Sequence, residues 1–242
     1  ERWEKEQRKK REKKKRCFKL MKKIILVGAS SGVSQQLYKT KKHKYKFIRM
    51  SRDPNHSDVE GFDLQNEETY FKTEEKIDGL VYFPGTINLK QFHRLSIEDF
   101  NKDLKVNLIG AISILKHYYK KFNTNSSVVL FSTVATKQGM PFHSSVSVSQ
   151  NAVIGLMISL ASEWSPKIRV NTISPSIFKS KMSEKMMINE KSIERISNNH
   201  PLKKIGSVQD ISEMVNFLIS EESGWITGQD FSVDGGMSKL KT

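Results

Sequence analysis

The sequence predicts one doubly wound α/β domain, a parallel sheet of about seven strands with helices on both faces, and three observations carry that prediction. Continuous apolar runs of strand length recur along the chain, which suits strands buried on both faces. Helical patterns, with apolar residues at three- and four-residue spacing, lie between most of them. A chain of 242 residues buries one sizeable core and falls in the range where a single α/β domain is usual.

Residues 1–20 stand outside that pattern. They hold eleven Lys/Arg and four Glu, so +7 of the formal net charge of +15 lies in this short segment. Trp3, Cys17, Phe18 and Leu20 are too few to make a face that docks on a core. The segment therefore reads as a solvated arm or frayed charged helix, with a polyanion-binding arm or a remnant of upstream translation as alternatives. Met21 begins what would make a natural start, and the four glutamates argue against a mitochondrial transit peptide. The domain is taken as residues 21–242, and nucleic acid is not an expected partner.

Cys17 is the only cysteine, which excludes an internal disulfide and suits a reduced compartment. No run of about 18 apolar residues and no secretory stretch occurs. A cytoplasmic protein without membrane contact is expected.

The first strand is Lys23-Ile24-Ile25-Leu26-Val27-Gly28, and similar runs follow at 46–50, 79–83, 127–132, 169–174 and 231–234. The spacing predicts helices over 96–121, 144–164 and 207–220, each opening at or near a serine suited to N-capping. Residues 52–76 are too short and polar for a full helix-strand unit. Val59-Glu60-Gly61-Phe62-Asp63 is expected to form a brief strand there, with one crossover helix truncated.

After the first strand comes Gly28-Ala29-Ser30-Ser31-Gly32-Val33-Ser34, two glycines four residues apart in a strand-to-helix turn. Backbone that must approach a pyrophosphate closely, with helix amides facing the charge, asks for this arrangement; a plain tight turn asks for the same residues. The turn resembles that of the short-chain dehydrogenase/reductase superfamily, whose fold is Rossmann-like, with Ser34 replacing that family's third glycine.

The C-terminal third extends the likeness: Arg169-Val170-Asn171-Thr172-Ile173-Ser174-Pro175, Pro201-Leu202, Gly206, Asp210-Ile211, Ile226-Thr227-Gly228-Gln229 and Val233-Asp234-Gly235-Gly236 follow in order with the family's spacings. The resemblance spans residues 22–238. By that resemblance Gly28, Ser30, Ser31, Gly32, Val33, Asp63, Leu64, Gly85, Gln150, Pro175, Ile177 and Ser180 are cofactor contacts. Ser51-Arg52 stands where the family selects its dinucleotide. Serine followed by arginine suits the 2′-phosphate of NADP better than a ribose hydroxyl, which leaves NAD as the alternative. A solvated basic loop, part-neutralised by Asp53, explains the same residues.

The family's chemistry rests on a tyrosine, a lysine four residues later, a serine thirteen before the tyrosine, and an asparagine on the preceding long helix. The asparagine is Asn107. Registration without gaps puts Val146 at the tyrosine position, Gln150 at the lysine position and Thr133, beside Ser132, at the serine position. Valine has no proton to give, and neutral glutamine cannot depress a neighbour's pKa. His143 is the nearest replacement donor, or else a residue of the loop that caps the helix with Ser144. No metal site is expected.

Tyr118-Tyr119 read as packing and surface, and the methionines at 182, 186 and 187 as an apolar lid or as interface. Two functions remain open: an NADP-preferring oxidoreductase with an altered proton relay and an unknown small carbonyl or alcohol substrate, or an inactive dinucleotide-binding homologue acting as regulator or partner subunit. By resemblance the chain is expected to form a homodimer or homotetramer.

Overall fold

This computed structural model describes residues 21–241, and the arm at 1–20 lies outside the described residues. Six strands form one parallel sheet in the order β2-β1-β3-β4-β5-β6. In chain order these are β1 (Lys23–Val27), β2 (Lys46–Met50), β3 (Ile77–Tyr82), β4 (Phe122–Phe131), β5 (Ile168–Pro175) and β6 (Asp230–Val233). The helices are α1 (Gly32–Lys41), α2 (Ile97–Asp103), α3 (Gly110–Tyr118), α4 (Ser144–Trp164), α5 (Glu190–Asn198) and α6 (Val208–Ile219).

The apolar runs become strands because both faces of the sheet are covered. Ile24 and Leu26 pack with Leu37 of α1 and with Ile211, Val215 and Leu218 of α6. Ile25 and Val27 pack on the other face with Ile114 of α3 and with Val153 and Met157 of α4. α4 is long and apolar enough to cross a membrane by length and composition. Its stripe Val146, Gln150, Val153, Met157, Ala161 and Trp164 is buried, a three- and four-residue repeat turned toward the core.

The sheet has six strands where about seven were expected, and the missing one is at the edge beyond β2. Residues 59–63 form turns rather than a strand, because their polar groups and those of the β2 edge are satisfied locally. Asp58 Oδ2 accepts from Arg49 N at 2.9 Å, Asp58 N donates to Arg49 O at 2.8 Å, and Ser57 Oγ accepts from Ser51 N at 3.1 Å. A seventh strand would find the Arg49 and Ser51 positions of that edge already taken. The crossover between β2 and β3 contains only two short 3-10 turns, Pro54–His56 and Glu67–Thr69.

The helix expected over 96–121 is one rod of changing pitch. Between α2 and α3 lies a π-helical segment, Leu104–Ile109, and a 3-10 turn, Tyr119–Lys121, follows α3. Periodicity does not resolve an extra residue inserted into a turn. Ser96 and Ser207 both cap as the sequence implied, each in a capping box with an aspartate three residues on.

The Ser207 hydroxyl, and then its backbone N–H, hold the Asp210 carboxyl below its ordinary value of 3.8. A lowered native value means that this cap contributes fully above 3.8 and is lost as pH falls through the lowered value. Ser207→Ala is expected to lower stability near neutrality by about 1 kcal/mol, read from urea midpoints. In acid, below the native Asp210 value, the difference should narrow without closing, because the Ser207 hydroxyl still accepts from Asp210 N.

Candidate functional site

All six strands point their C-terminal ends to one side of the sheet. From β1 the chain passes to β2 on one flank and to β3 on the other, which opens a crevice between the ends of β1 and β3, where ligands of such sheets bind. The glycine-rich turn fills the β1 side. Gly28 N and Ala29 N donate to Met50 O at 2.8 and 3.1 Å, and Ser31 caps α1 by accepting from Ser34 N at 3.2 Å. Gly28 takes a φ of +76°, and a Cβ there would meet Pro84 Cδ at 2.9 Å, so the turn leaves no room for a side chain. Ser30 and Gly32 are exposed, while Val33 is buried under α6. Ser34 is fully buried, and its hydroxyl has no partner among the described residues.

On the flank of β2, Ser51 is buried and its hydroxyl accepts from Asp53 N at 3.1 Å. The Asp53 carboxylate accepts from Asn55 N at 3.0 Å and lies 3.8 Å from His56 Nε2. It is engaged away from Arg52, which is exposed. Asp63 is exposed and accepts from Gln65 N, while Leu64 is half-buried and packs against the core.

The β3 side of the crevice runs through Phe83, Pro84 and Gly85 into Thr86. Thr86 N donates to Asn107 Oδ1 at 2.8 Å, and Asn107 Nδ2 donates to Ser149 Oγ at 2.9 Å. Asn107 thus ties the segment after β3 to α4. Past the end of β4, the Ser132 hydroxyl donates to Gln150 O at 3.3 Å, and Thr133 opens a 3-10 turn by accepting from Ala135 N at 3.4 Å. Gln150 is 8 % exposed, and its Oε1 is buried with no partner among the described residues. A buried carbonyl oxygen without a donor costs about 1–3 kcal/mol, so this atom is suited to a ligand hydroxyl. Asn107, Ser132 and Gln150 are therefore brought together. Thr133 adjoins them in the chain.

Val146 is buried, at 2 % exposed, and offers no polar atom. His143 stands at the N-cap position of α4 but makes no capping bond. Its Nδ1 lies 2.7 Å from Pro141 O. The phenols of Tyr82, Tyr70 and Tyr118 donate to the backbone oxygens of Val106, Leu64 and Phe71. Burial pushes all three phenols up, Tyr70 to about 12 and the other two further. Tyr119, the other half of that pair, is exposed and stacks on Trp164.

Pro175 ends β5, Ile177 and Ser180 follow it, and Ser180 N donates to Ser183 Oγ at 2.9 Å. Met182 and Met186 are exposed on the segment that follows. Sequence reasoning missed two buried polar residues. His200, 2 % exposed, bridges Ser176 Oγ at 2.8 Å and Ile196 O at 2.7 Å. Asp103 is fully buried one turn before Asn107; the visible trace was a carboxylate in an otherwise core-facing position of an amphipathic pattern.

The family model described as enoyl-(acyl carrier protein) reductase matches residues 65–238. A 3-oxoacyl-[acyl-carrier-protein] reductase of Rickettsia conorii is 33% identical over 165 residues, covering 67% of this chain and 68% of that protein. Among solved structures, ElxO with NADP bound superposes with a TM-score of 0.81 at 25% identity, over 91% of this chain and 100% of that one. A 4-hydroxyisoleucine dehydrogenase mutant complexed with NADH and succinate gives the same TM-score, identity and coverage.

Gly28→Ala places a side chain at positive φ against Pro84. The φ penalty alone is about 1–2 kcal/mol, and in a chain of this size the melting temperature is expected to fall by about 2–8 °C. An unchanged melting temperature, measured by circular dichroism, would mean that the turn has slack for a side chain.

Proposed function

Given that the chain belongs to the short-chain dehydrogenase/reductase superfamily, through the enoyl-(acyl carrier protein) reductase family, we propose that it is an NADP-dependent oxidoreductase that interconverts a carbonyl and an alcohol with an altered proton relay. The observation that carries the proposal is Gln150 Oε1, buried and unpartnered beside Ser132 and the Asn107–Ser149 pair. The residues present fit the dinucleotide. The turn from Gly28 to Val33 offers backbone N–H groups at the start of α1, Ser51 and Arg52 suit a 2′-phosphate, and Gln150 accepts from a ribose hydroxyl.

The bound cofactor supplies a hydride to the carbonyl carbon. The Thr133 hydroxyl, or that of Ser132 once it turns from Gln150 O, donates to the carbonyl oxygen and favours the charge that develops on it. Asn107 holds the segment after Gly85 against α4, so the floor of the crevice keeps its distance from the chemical end. Val146 and Gln150 occupy the positions of the family's tyrosine and lysine, and His143 takes over the proton. Its Nδ1–H donates to Pro141 O, so Nε2 hands a proton to the substrate oxygen from the imidazolium form and is left as an acceptor. General acid catalysis contributes about 10²–10⁴ in rate, and here that contribution rests on His143 without a lysine beside it, so turnover slower than with the usual pair is expected. The relative's description directs the substrate search to 3-oxoacyl thioesters.

A second reading, a dinucleotide-binding homologue without turnover, is favoured by the apolar burial of Val146 and by the engagement of the Tyr82, Tyr70 and Tyr118 phenols. We also propose a homodimer. Ile109 of the π segment and Val148 and Ile158 of α4 are each about half exposed, an apolar surface that a second copy would cover.

Fluorescence titration separates the cofactors, with NADPH expected to bind more tightly than NADH and Arg52→Ala to narrow that gap. With a carbonyl panel that includes a 3-oxoacyl thioester, His143→Ala should lower kcat by about 10²-fold or more and leave NADPH binding unchanged. NADPH binding without hydride transfer to any carbonyl, and no effect of His143→Ala on residual turnover, would leave the second reading standing.

A further inference from the structure

Asp103, the last residue of α2, is 0% exposed. Thr86 Oγ1 and Asn88 Nδ2 donate to its Oδ1 at 2.6 and 2.9 Å, and Ser145 Oγ donates to its Oδ2 at 2.5 Å. No basic side chain is paired with it among the described residues. A buried carboxylate without a cation is an expensive way to fill space, since well-packed apolar residues in place of buried ionic groups are often neutral or stabilising. What its charge-assisted bonds accomplish is directional. They join two segments far apart in sequence, the stretch after Gly85 and the first turn of α4.

Those segments meet a second time one turn further along the rod. Asn107 accepts from Thr86 N and donates to Ser149 Oγ, and Thr86 Oγ1 itself lies 3.4 Å from Asn107 Oδ1. The π-helical segment Leu104–Ile109 starts immediately after Asp103 and contains Asn107; single π turns recur at functional sites. The first turn of α4 has no side-chain cap of its own; Ser145 ties it to Asp103, and Ser147 Oγ donates to Ala135 O at 3.1 Å on the other side. Ser145 stands next to Val146 and two residues after His143.

We propose that Asp103 is a positioning residue that registers the first turn of α4, with His143 at its head, against the floor of the cofactor crevice at residues 85–88. The proposal deepens the reading above and rests on it for the reaction. Removing the carboxylate should leave the fold intact, because each donor keeps another outlet. Thr86 Oγ1 has Asn107 Oδ1, Ser145 Oγ has Asp99 O at 3.3 Å, and Asn88 is only half-buried.

The test compares Asp103→Leu, Asp103→Asn and the exchange double variant Asn88→Asp/Asp103→Asn in the full chain. Amide hydrogen exchange at 86–88 and 144–149 is expected to accelerate at least about tenfold in both single variants, while amides of β1 and β4 keep their protection. With a carbonyl substrate, kcat should fall at least about tenfold with KM within about threefold, and the double variant should recover part of both. The proposal is overturned if the two segments stay as protected as in the parent chain. Protection lost evenly through the sheet also overturns it, since Asp103 would then serve only the fold. If the parent chain binds NADPH but turns over no carbonyl, the oxidoreductase reading fails on its own and hydrogen exchange alone judges Asp103.

Discussion

Parallel strands covered on both faces have a single place to offer chemistry, the edge where their C-terminal ends emerge. Here that edge splits between β1 and β3, and every candidate residue is located by its distance from that split. Gly28 turns tightly because β1 ends against Met50 and Pro84. Ser132 and Thr133 arrive because β4 ends one strand further along. The burial of the strands supplies most of the stability, and the loops at their ends are free to carry polar groups the core could not hold.

The polar groups behind the crevice form a connected set. Thr86, Asn88, Asp103, Asn107, Ser145 and Ser149 link the segment after β3, the α2–α3 rod and α4 by hydrogen bonds of 2.5–2.9 Å between side chains or to backbone. Buried polar networks of this kind specify one arrangement when every member is satisfied. Among the described residues, the buried side-chain oxygens without a hydrogen-bond partner are Ser34 Oγ in the first turn of α1, Gln150 Oε1 in α4 and Asp230 Oδ2, the last 2.9 Å from Lys137 Nζ.

Much of this was legible in the sequence, for local reasons. Apolar runs give strands, Ser96 and Ser207 cap because each is followed at three residues by an aspartate, and the glycine turn declares itself by its place after a strand. What escaped depends on partners distant in sequence. The edge strand at 59–63 failed because Asp58 and Ser57 occupy the β2 edge, and Asp103 acquires meaning only once Ser145, 42 residues away, is beside it. Val146 and Gln150 were found by register, yet the unpartnered state of Gln150 Oε1 required coordinates.

The claim at the centre of this account is that the cofactor end is intact while the proton-transferring pair at 146 and 150 is vacant. The most direct measurement is the single-turnover rate of hydride transfer from bound NADPH in Val146→Tyr/Gln150→Lys against the parent chain, with a 3-oxoacyl thioester as acceptor. The account predicts a rise of about 10²-fold or more, measured with NADPH saturating both chains so that a change in affinity from the substitution at 150 does not enter. An equal or lower rate in a folded, NADPH-binding double variant would contradict it.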